Sequence, residues 1–366
     1  MTPLIARDPC KVYFERFIFM AALLIPAFFL GGTRPVIVSM VCVGVCMFTD
    51  WVCCLIRRIQ YDIKDYSVMF WGLALSLVLP ASIHYIYAAL AAVICIIIGK
   101  HAFGGKENVM FCPPAISAAF LIICYPAEML YYPKVNEVLP AFGEYSGILI
   151  RDLDNTLKLG NVPAYSILDI VMGRVPGAIG AVSLLVIAVC GICMMFRRIT
   201  SVSTLISCLF TVCLLAFCYP RIDVSGTESM FYELASGYVF FGTVFLAAEP
   251  YILPKRRAAR IIYGVVLGYT TMMFRYFGAT EGCFFFALLI TNALSCGFDT
   301  IVDNLMYWKN TYLTSFEHNK HAAQHGHIKL TDTQEIQLPE KYRYNTPPID
   351  GKVKKHRKSR RKGGKD

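Results

Sequence analysis

The chain has 366 residues, 56% of them hydrophobic and only 16% charged, with a mean hydropathy of +0.53. That balance excludes an ordinary water-soluble domain of this size, and apolar runs approaching the roughly 20 residues that cross a bilayer recur along the chain, so the fold class is an all-α polytopic membrane protein. The formal net charge of +10 is not accompanied by a nucleic-acid-reading pattern, and no nucleophile–base pair, Walker loop or Rossmann fingerprint is present, so hydrolysis, ATP use and direct dinucleotide binding are unsupported.

In chain order, ten spans are predicted, near 15–32, 35–56, 67–81, 83–99, 108–126, 178–196, 201–219, 231–249, 260–275 and 282–300. The first apolar run, 17–30, is read as a retained helix, because no separate hydrophobic stretch with a small-residue cleavage site precedes it. Several spans are short or interrupted, as at Cys112-Pro113-Pro114, which predicts tilted, broken or re-entrant helices whose freed backbone groups are covered by neighbours. The connection over 127–177 is too long for a bare linker in a compact domain, and is either a functional loop or a cap on the mouth of the bundle. After about residue 306 the chain turns polar and ends in a dense block of lysine and arginine from Lys352 to Lys365. Such a block does not fold by itself and is drawn to anionic lipid at about 1 kcal/mol per residue near the surface. The organisation expected is a first transmembrane half over 1–126, an extracytoplasmic loop over 127–177, a second half over 178–305 and a cytoplasmic basic tail over 306–366.

Cations sort by loop. Arg7, Lys11 and Arg16, then Arg57, Arg58 and Lys64, then Lys100 and Lys106, Arg197 and Arg198, Lys255 to Arg260, and the tail fall on one side. The short loops of the other side carry only Arg34, Arg221 and Arg275. The positive-inside rule then puts both termini in the cytoplasm. A weak internal repeat accompanies this pattern: Phe103-Gly104-x-x-Glu107 matches Phe277-Gly278-x-x-Glu281, and Phe111, Ile116, Ser117 and Ala119 align with Phe285, Ile290, Thr291 and Ala293. With five spans per half, the two copies must lie in opposite orientations, and an inverted repeat with interrupted helices places binding sites near the interface of its halves.

The fifteen cysteines lie mostly alone in apolar runs, where a thiol acts as a small hydrophobe. Cys190 and Cys193 have CxxC spacing, but a zinc or iron–sulfur centre needs about four ligands and no second pair accompanies them, so no metal site is expected. His318, His321, His325 and His327 are read as part of a solvated tail, and His84 and His101 as helix-end residues. Ionisable groups in or beside apolar runs are candidates for function because lipid makes them costly. Glu249, at the end of the eighth span, and Glu281, after the ninth, fall in that class.

Three stretches carry a resemblance. Phe240 to Asp303 contains Ala248-Glu249-Pro250, then RYFGATEG from Arg275 to Gly282, then FFFALLITNAL through Leu294. Phe103 to Pro126 reads FGGKENVMFCPPAISAAFLIICYP, and Ser166 to Leu185 reads SILDIVMGRVPGAIGAVSLL. In order and spacing these resemble the RnfD and NqrB family, the flavin-carrying membrane subunits of the Rnf electron-transport complex and of sodium-pumping NADH:quinone reductase, over roughly residues 10 to 305. The family has T-D-P where this chain has Ala248-Glu249-Pro250.

The resemblance implies a bacterial plasma-membrane, multi-pass translocase subunit that passes electrons through flavin and couples them to Na+ or H+ movement, with membrane and peripheral partner subunits, a lipid surface and no nucleic acid. Glu249, Glu281 and Asn292 are the ion-path or motif candidates; no catalytic residue is assigned. FMN is the cofactor implied, with riboflavin as a second flavin. In the family the FMN is esterified to the threonine of an S-G-A-T motif in the outer loop. This chain departs there: Ser146-Gly147-Ile148-Leu149 ends in leucine, and Asp154-Asn155-Thr156-Leu157 offers Thr156 as the candidate acceptor. A channel or permease without redox function and a flavin-free structural subunit are the rival readings.

Overall fold

The structure, a computed structural model, describes residues 8–62, 64–105, 109–135, 137, 139–143, 147–181, 183–278 and 282–324, with side chains as far as residue 309. The chain divides into two compact units, 1–308 and 309–366. The first holds everything that follows.

Proline at the start of α1 (Pro9–Ala21) has its ring angle already set for a helix and no amide hydrogen to waste. After a two-residue kink, α2 (Leu24–Gly31) completes a broken span and stops at Gly32, whose φ of 73° only glycine takes without strain. α3 (Arg34–Ile56) follows, and α4 (Tyr66–Val78) begins at Asp65, whose carboxylate accepts the Ser67 amide at 3.2 Å. α4 is apolar all round and buried on nearly every face, as expected of a central helix. It packs against α1, α3 and the later α6. α5 (Tyr85–Ile96) ends in a wide π turn, Ile97–His101, before α6 (Pro113–Cys124), which opens on two prolines.

The long connection is an ordered cap. It contains α7 (Pro126–Met129), a two-residue antiparallel pairing of β1 (Tyr132–Pro133) with β2 (Leu149–Ile150), and two short helices, α8 (Leu153–Lys158) and α9 (Ile167–Met172). Asp152 and Ser166 cap the two helices with their side chains, and Gly173 ends α9 at φ 87°. Leu153, Leu157 and Ile170 bury themselves with Ile222 and Tyr232 in a small second core.

The second half has α10 (Leu184–Phe196), α11 (Val202–Cys218), α12 (Gly226–Ala235), and α13 (Val239–Phe241) running into a π turn over Gly242–Ala247. α14 (Arg257–Phe277) and α15 (Cys283–Gln324) close it. α11 packs most extensively on α14, and α3 packs on both α4 and α5; the α3–α5 and α11–α14 pairs are alike in kind. Both use small side chains four residues apart, which let backbones approach in the absence of a hydrophobic drive within lipid. The Cys42 and Cys46 thiols sit against the carbonyls of Ala88 and Ala92 at 3.9 and 3.6 Å. On the other pair, Gly264 and Gly268 lie against Ser207, Cys208 and Thr211, where a Cβ at either glycine would collide.

Among the described residues, Pro9–Gly31, Arg34–Ile56 and Cys283–Lys309 are long and apolar enough to cross a membrane. Gly226–Ala235 and Val239–Ala247 do so only as a pair bent by 69°, and five further apolar helices are shorter than 18 residues. The architecture is therefore an apolar, nearly all-helical bundle with broken and short helices, as the interrupted runs predict. The basic tail beyond residue 324, Glu281, Glu107 and Lys106 lie outside the described residues.

Candidate functional site

The connection from α13 through its π turn to α14 builds a polar interior inside the bundle. The π turn over Gly242–Ala247 leaves the Phe245 carbonyl without a regular helical partner, and Gly242 lets the turn press against the ring of Phe284. The chain is then pinned at Ala248, whose carbonyl accepts from the Ser201 amide at 3.2 Å and the Thr200 hydroxyl at 3.1 Å. The next residue, Glu249, is completely buried.

Its carboxylate faces α1 and α4. The Tyr13 hydroxyl donates to Glu249 Oε1 at 2.7 Å. One turn further along α1, the fully buried Arg16 donates from Nη2 to the freed Phe245 carbonyl and lays its guanidinium over the Phe70 ring, 4.8 Å from the centroid. Tyr251 stacks on Tyr13 at 5.3 Å and Trp71 meets it edge-on at 5.8 Å. Glu249 Oε2, Arg16 Nε and Nη1, Trp71 Nε1 and the Tyr251 hydroxyl have no hydrogen-bond partner among the described residues. Buried polar atoms are ordinarily paired, so open ones gathered around a carboxylate and a guanidinium make this interior the candidate site.

Asn292 belongs to the same interior. It is fully buried on α15, accepts from the Tyr263 hydroxyl of α14 at 2.5 Å, and leaves its Nδ2 unpaired. Asn292 and Tyr263 thus form a second buried polar pair, between α15 and α14, in the same core. Tyr13, Arg16, Trp71 and Tyr251 were missed in the sequence. Arg16 counts there as a loop cation, yet it is inside; the signal was its place within the first apolar stretch of helix.

Thr156 stands elsewhere, on α8 in the cap. Its hydroxyl donates back to the Asp152 carbonyl at 3.5 Å and is half-buried. Asp154, beside it, is buried in an ion network: Arg221 donates to Asp154 Oδ1 at 2.8 Å and to both oxygens of Glu233, and Arg275 donates to Glu233 Oε2 at 2.6 Å and to the carbonyls of Glu233 and Ser236. Burial opposes charge on Asp154, but Arg275 and Arg221 outweigh it and hold its carboxyl below the usual carboxylate range. Arg221 is raised against its own burial by hydrogen bonds to Glu233 and the charge of Asp154.

A phosphoester-linked FMN does not fit these residues well. Leu149, where the family has its acceptor threonine, offers only carbon at the edge of β2. The Thr156 hydroxyl is turned into its own helix between two buried aspartates, and the buried cations nearest to it, Arg221 and Arg275, are already committed to Asp154 and Glu233.

Comparison with known proteins identifies the family. The sequence model of the NQR2, RnfD, RnfE family matches residues 7–307. The chain is 26% identical over 297 residues to the D subunit of the ion-translocating oxidoreductase complex of Stutzerimonas stutzeri, covering 74% of this chain and 82% of the relative. It is 26% identical over 280 residues to the D subunit of the Na(+)-translocating ferredoxin:NAD(+) oxidoreductase complex of Acetobacterium woodii, covering 74% and 83%. Against the B subunit of the Na(+)-translocating NADH-quinone reductase of Chromohalobacter salexigens it is 27% identical over 208 residues, spanning about half of that relative at 49%.

Proposed function

The chain belongs to the NQR2, RnfD, RnfE family, and from that premise we propose that it is the RnfD-like membrane subunit of a redox-driven, ion-translocating electron-transport complex of a bacterial plasma membrane. The observation that carries the reading is Glu249: a fully buried carboxylate just past the π turn that ends a broken span, held by the Tyr13 hydroxyl beside Arg16, with its second oxygen open among the described residues. Broken helices whose freed backbone and side-chain groups line an interior are how transporters hold ions within lipid. In this reading Glu249, Asn292 and Glu281 belong to the path of Na+ or H+. Arg16 offsets the charge of Glu249 when the path holds no ion.

The two halves support an inverted repeat. Second and fourth helices pair through small residues in each, and the aligned hydroxyls Ser117 and Thr291 make the same bond, to the carbonyls of Pro113 and Ala287 four residues back. In this reading both termini lie in the cytoplasm, with the tail on anionic lipid and the cap outside, as the sorting of cations by loop supports. Partner subunits supply the electron donors. The absence of a hydroxyl at Leu149 favours a subunit in which flavin, FMN or riboflavin, is non-covalent or lacking.

The test is the assembled complex in sealed vesicles. Glu249→Gln should copurify with its partner subunits and keep electron transfer between the donor and acceptor dyes, while ion uptake falls to the level of vesicles without the complex. Uptake equal to wild type removes Glu249 from the path. An ultraviolet-fluorescent band on a denaturing gel that is lost in Thr156→Ala would restore covalent flavin, and a dark wild-type band supports its absence.

A further inference from the structure

At the other end of the bundle from the cap, α3 and the end of α5 bring together groups of a different chemistry. Asp50 and Cys54 lie one turn apart on one face of α3, and His101 closes the π turn that ends α5. One ligand atom from each, a carboxylate oxygen, a thiol sulfur and an imidazole nitrogen, all lie within 4.8 Å of one another. The π turn brings two successive side chains to this spot: His101 Nε2 is 2.8 Å from Asp50 Oδ1, and Lys100 Nζ is 2.8 Å from the same oxygen and 2.9 Å from Asp65 Oδ2. The carboxylates of Asp50 and Asp65, the ammonium and the imidazole are all more than nine-tenths buried. Nothing in the polar interior around Glu249 uses these residues.

We propose that Asp50, Cys54 and His101 form a binding site for a single borderline-soft divalent cation, zinc in the first instance, with a water molecule as fourth ligand. A mixed oxygen, sulfur and nitrogen set is the donor chemistry zinc takes, and a tetrahedral ion with bonds of about 2.0–2.3 Å draws its ligands to about 3.3–3.8 Å apart, a contraction these three side chains can make by rotamer adjustment. Charge points the same way. Two carboxylates and one ammonium leave the buried group one negative charge in excess; adding a divalent ion and ionising the thiol makes it neutral.

Lys100 then becomes an outer partner. It bridges Asp50 to Asp65 and fixes the carboxylate that the ion binds, the role such second contacts play in metal sites. Arg57 Nη1 lies 3.3 Å from His101 Nδ1; since a guanidinium only donates, that nitrogen accepts and Nε2 carries the proton toward Asp50. On binding, the thiol proton leaves to solvent, the imidazole proton moves from Nε2 to Nδ1, and Arg57, which is exposed, turns away. One proton is released per ion.

The full-length chain, purified in detergent and stripped with a chelator, is titrated with Co2+ and with Zn2+. Expected are one ion per chain, a near-ultraviolet thiolate-to-cobalt band that zinc bleaches, and about one proton released per ion near neutral pH. Cys54→Ser should lose the band and bind at least about tenfold more weakly, and His101→Gln should weaken binding similarly. Cys53→Ser, which changes the neighbouring thiol outside the group, should keep both. No thiolate band in the wild type, or a band undiminished in Cys54→Ser, overturns the proposal. If Cys54→Ser does not survive purification, the wild-type proton release together with His101→Gln decides: release without loss in His101→Gln also overturns it.

Discussion

At the scale of single residues, Glu249 and Arg16 are each too costly to bury alone. A lone ion in low dielectric carries a penalty of several kcal/mol that only a nearby opposite charge and hydrogen bonds offset. Arg16 is the cation whose field acts on Glu249, and Tyr13 is the donor that orients it. Removing one partner should therefore hurt more than removing both. Arg16→Met leaves a buried carboxylate without its counter-charge, and Glu249→Leu leaves a buried guanidinium; the double variant leaves neither. The expected outcome is a lower melting temperature in each single variant and partial recovery in the double, with a coupling of about 1–3 kcal/mol in a double-mutant cycle in detergent. Additive losses would mean that the two charges are independent. Tyr13→Phe is milder, costing about 1–3 kcal/mol because Oε1 is then left unpaired beside the already open Oε2.

At the scale of elements, the tight pairing of α11 with α14 depends on glycine where a backbone or hydroxyl lies opposite. A Cβ on Gly264 would run into the Ser207 hydroxyl and the Thr204 carbonyl, and one on Gly268 would come within 2.8 Å of the Cys208 carbonyl. Backbone cannot swing aside as a side chain can, so Gly268→Ala should cost about 1–3 kcal/mol. Gly44, on the exposed side of α3, has nothing within 4 Å of such a Cβ, and Gly44→Ala should leave stability unchanged or raise it by up to about 1 kcal/mol. Thermal melts of the two variants check the pair; equal effects would mean that the approach of α14 to α11 is not close. Elements of this kind were the legible part of the sequence. Apolar runs and their breaks at Gly32, Cys112-Pro113-Pro114 and Glu249-Pro250 placed helices and bends. What the sequence could not show is who meets whom: Tyr13 and Glu249 stand 236 positions apart, and Arg16 and Phe245 229 apart. Periodicity reports a residue's face, not its distant partner, so Glu249 was visible as an acid near an apolar run while Arg16 passed for a loop cation. Lys100 also passed for a loop cation, since a π turn has no signature in the pattern of apolar residues, while His101 does end its helix, as the sequence predicts.

At the scale of the whole molecule, the three cations that break the charge asymmetry of the cap face turn out to fasten the cap. Arg34 gives its guanidinium to the carbonyls of Pro140, Gly143, Ser82 and Ile83, joining the cap to the start of α5. Arg221 and Arg275 join it to the second half through Asp154 and Glu233. The cap is thus strapped to both halves, and any motion of one half against the other must strain these contacts. Among the described residues, Asp154 is the cap carboxylate of the second strap, and its pKa lies below its unfolded value. A depressed carboxylate contributes stability that is fully present above its unfolded pKa, about 3.9, and is lost as pH falls through the lower folded value. Hydrogen-exchange protection of α8, expressed relative to intrinsic rates, should therefore be level from about pH 8 to 5 and fall only below about pH 4. Asp154→Asn should lose much of that protection already at neutral pH, because the two arginines then face Glu233 alone and α8 keeps only its small apolar core. Protection of α8 that declines between pH 8 and 5 in the wild type would assign the strap to a group other than Asp154, and unchanged protection in Asp154→Asn would show that Leu153 and Leu157 hold the cap without it.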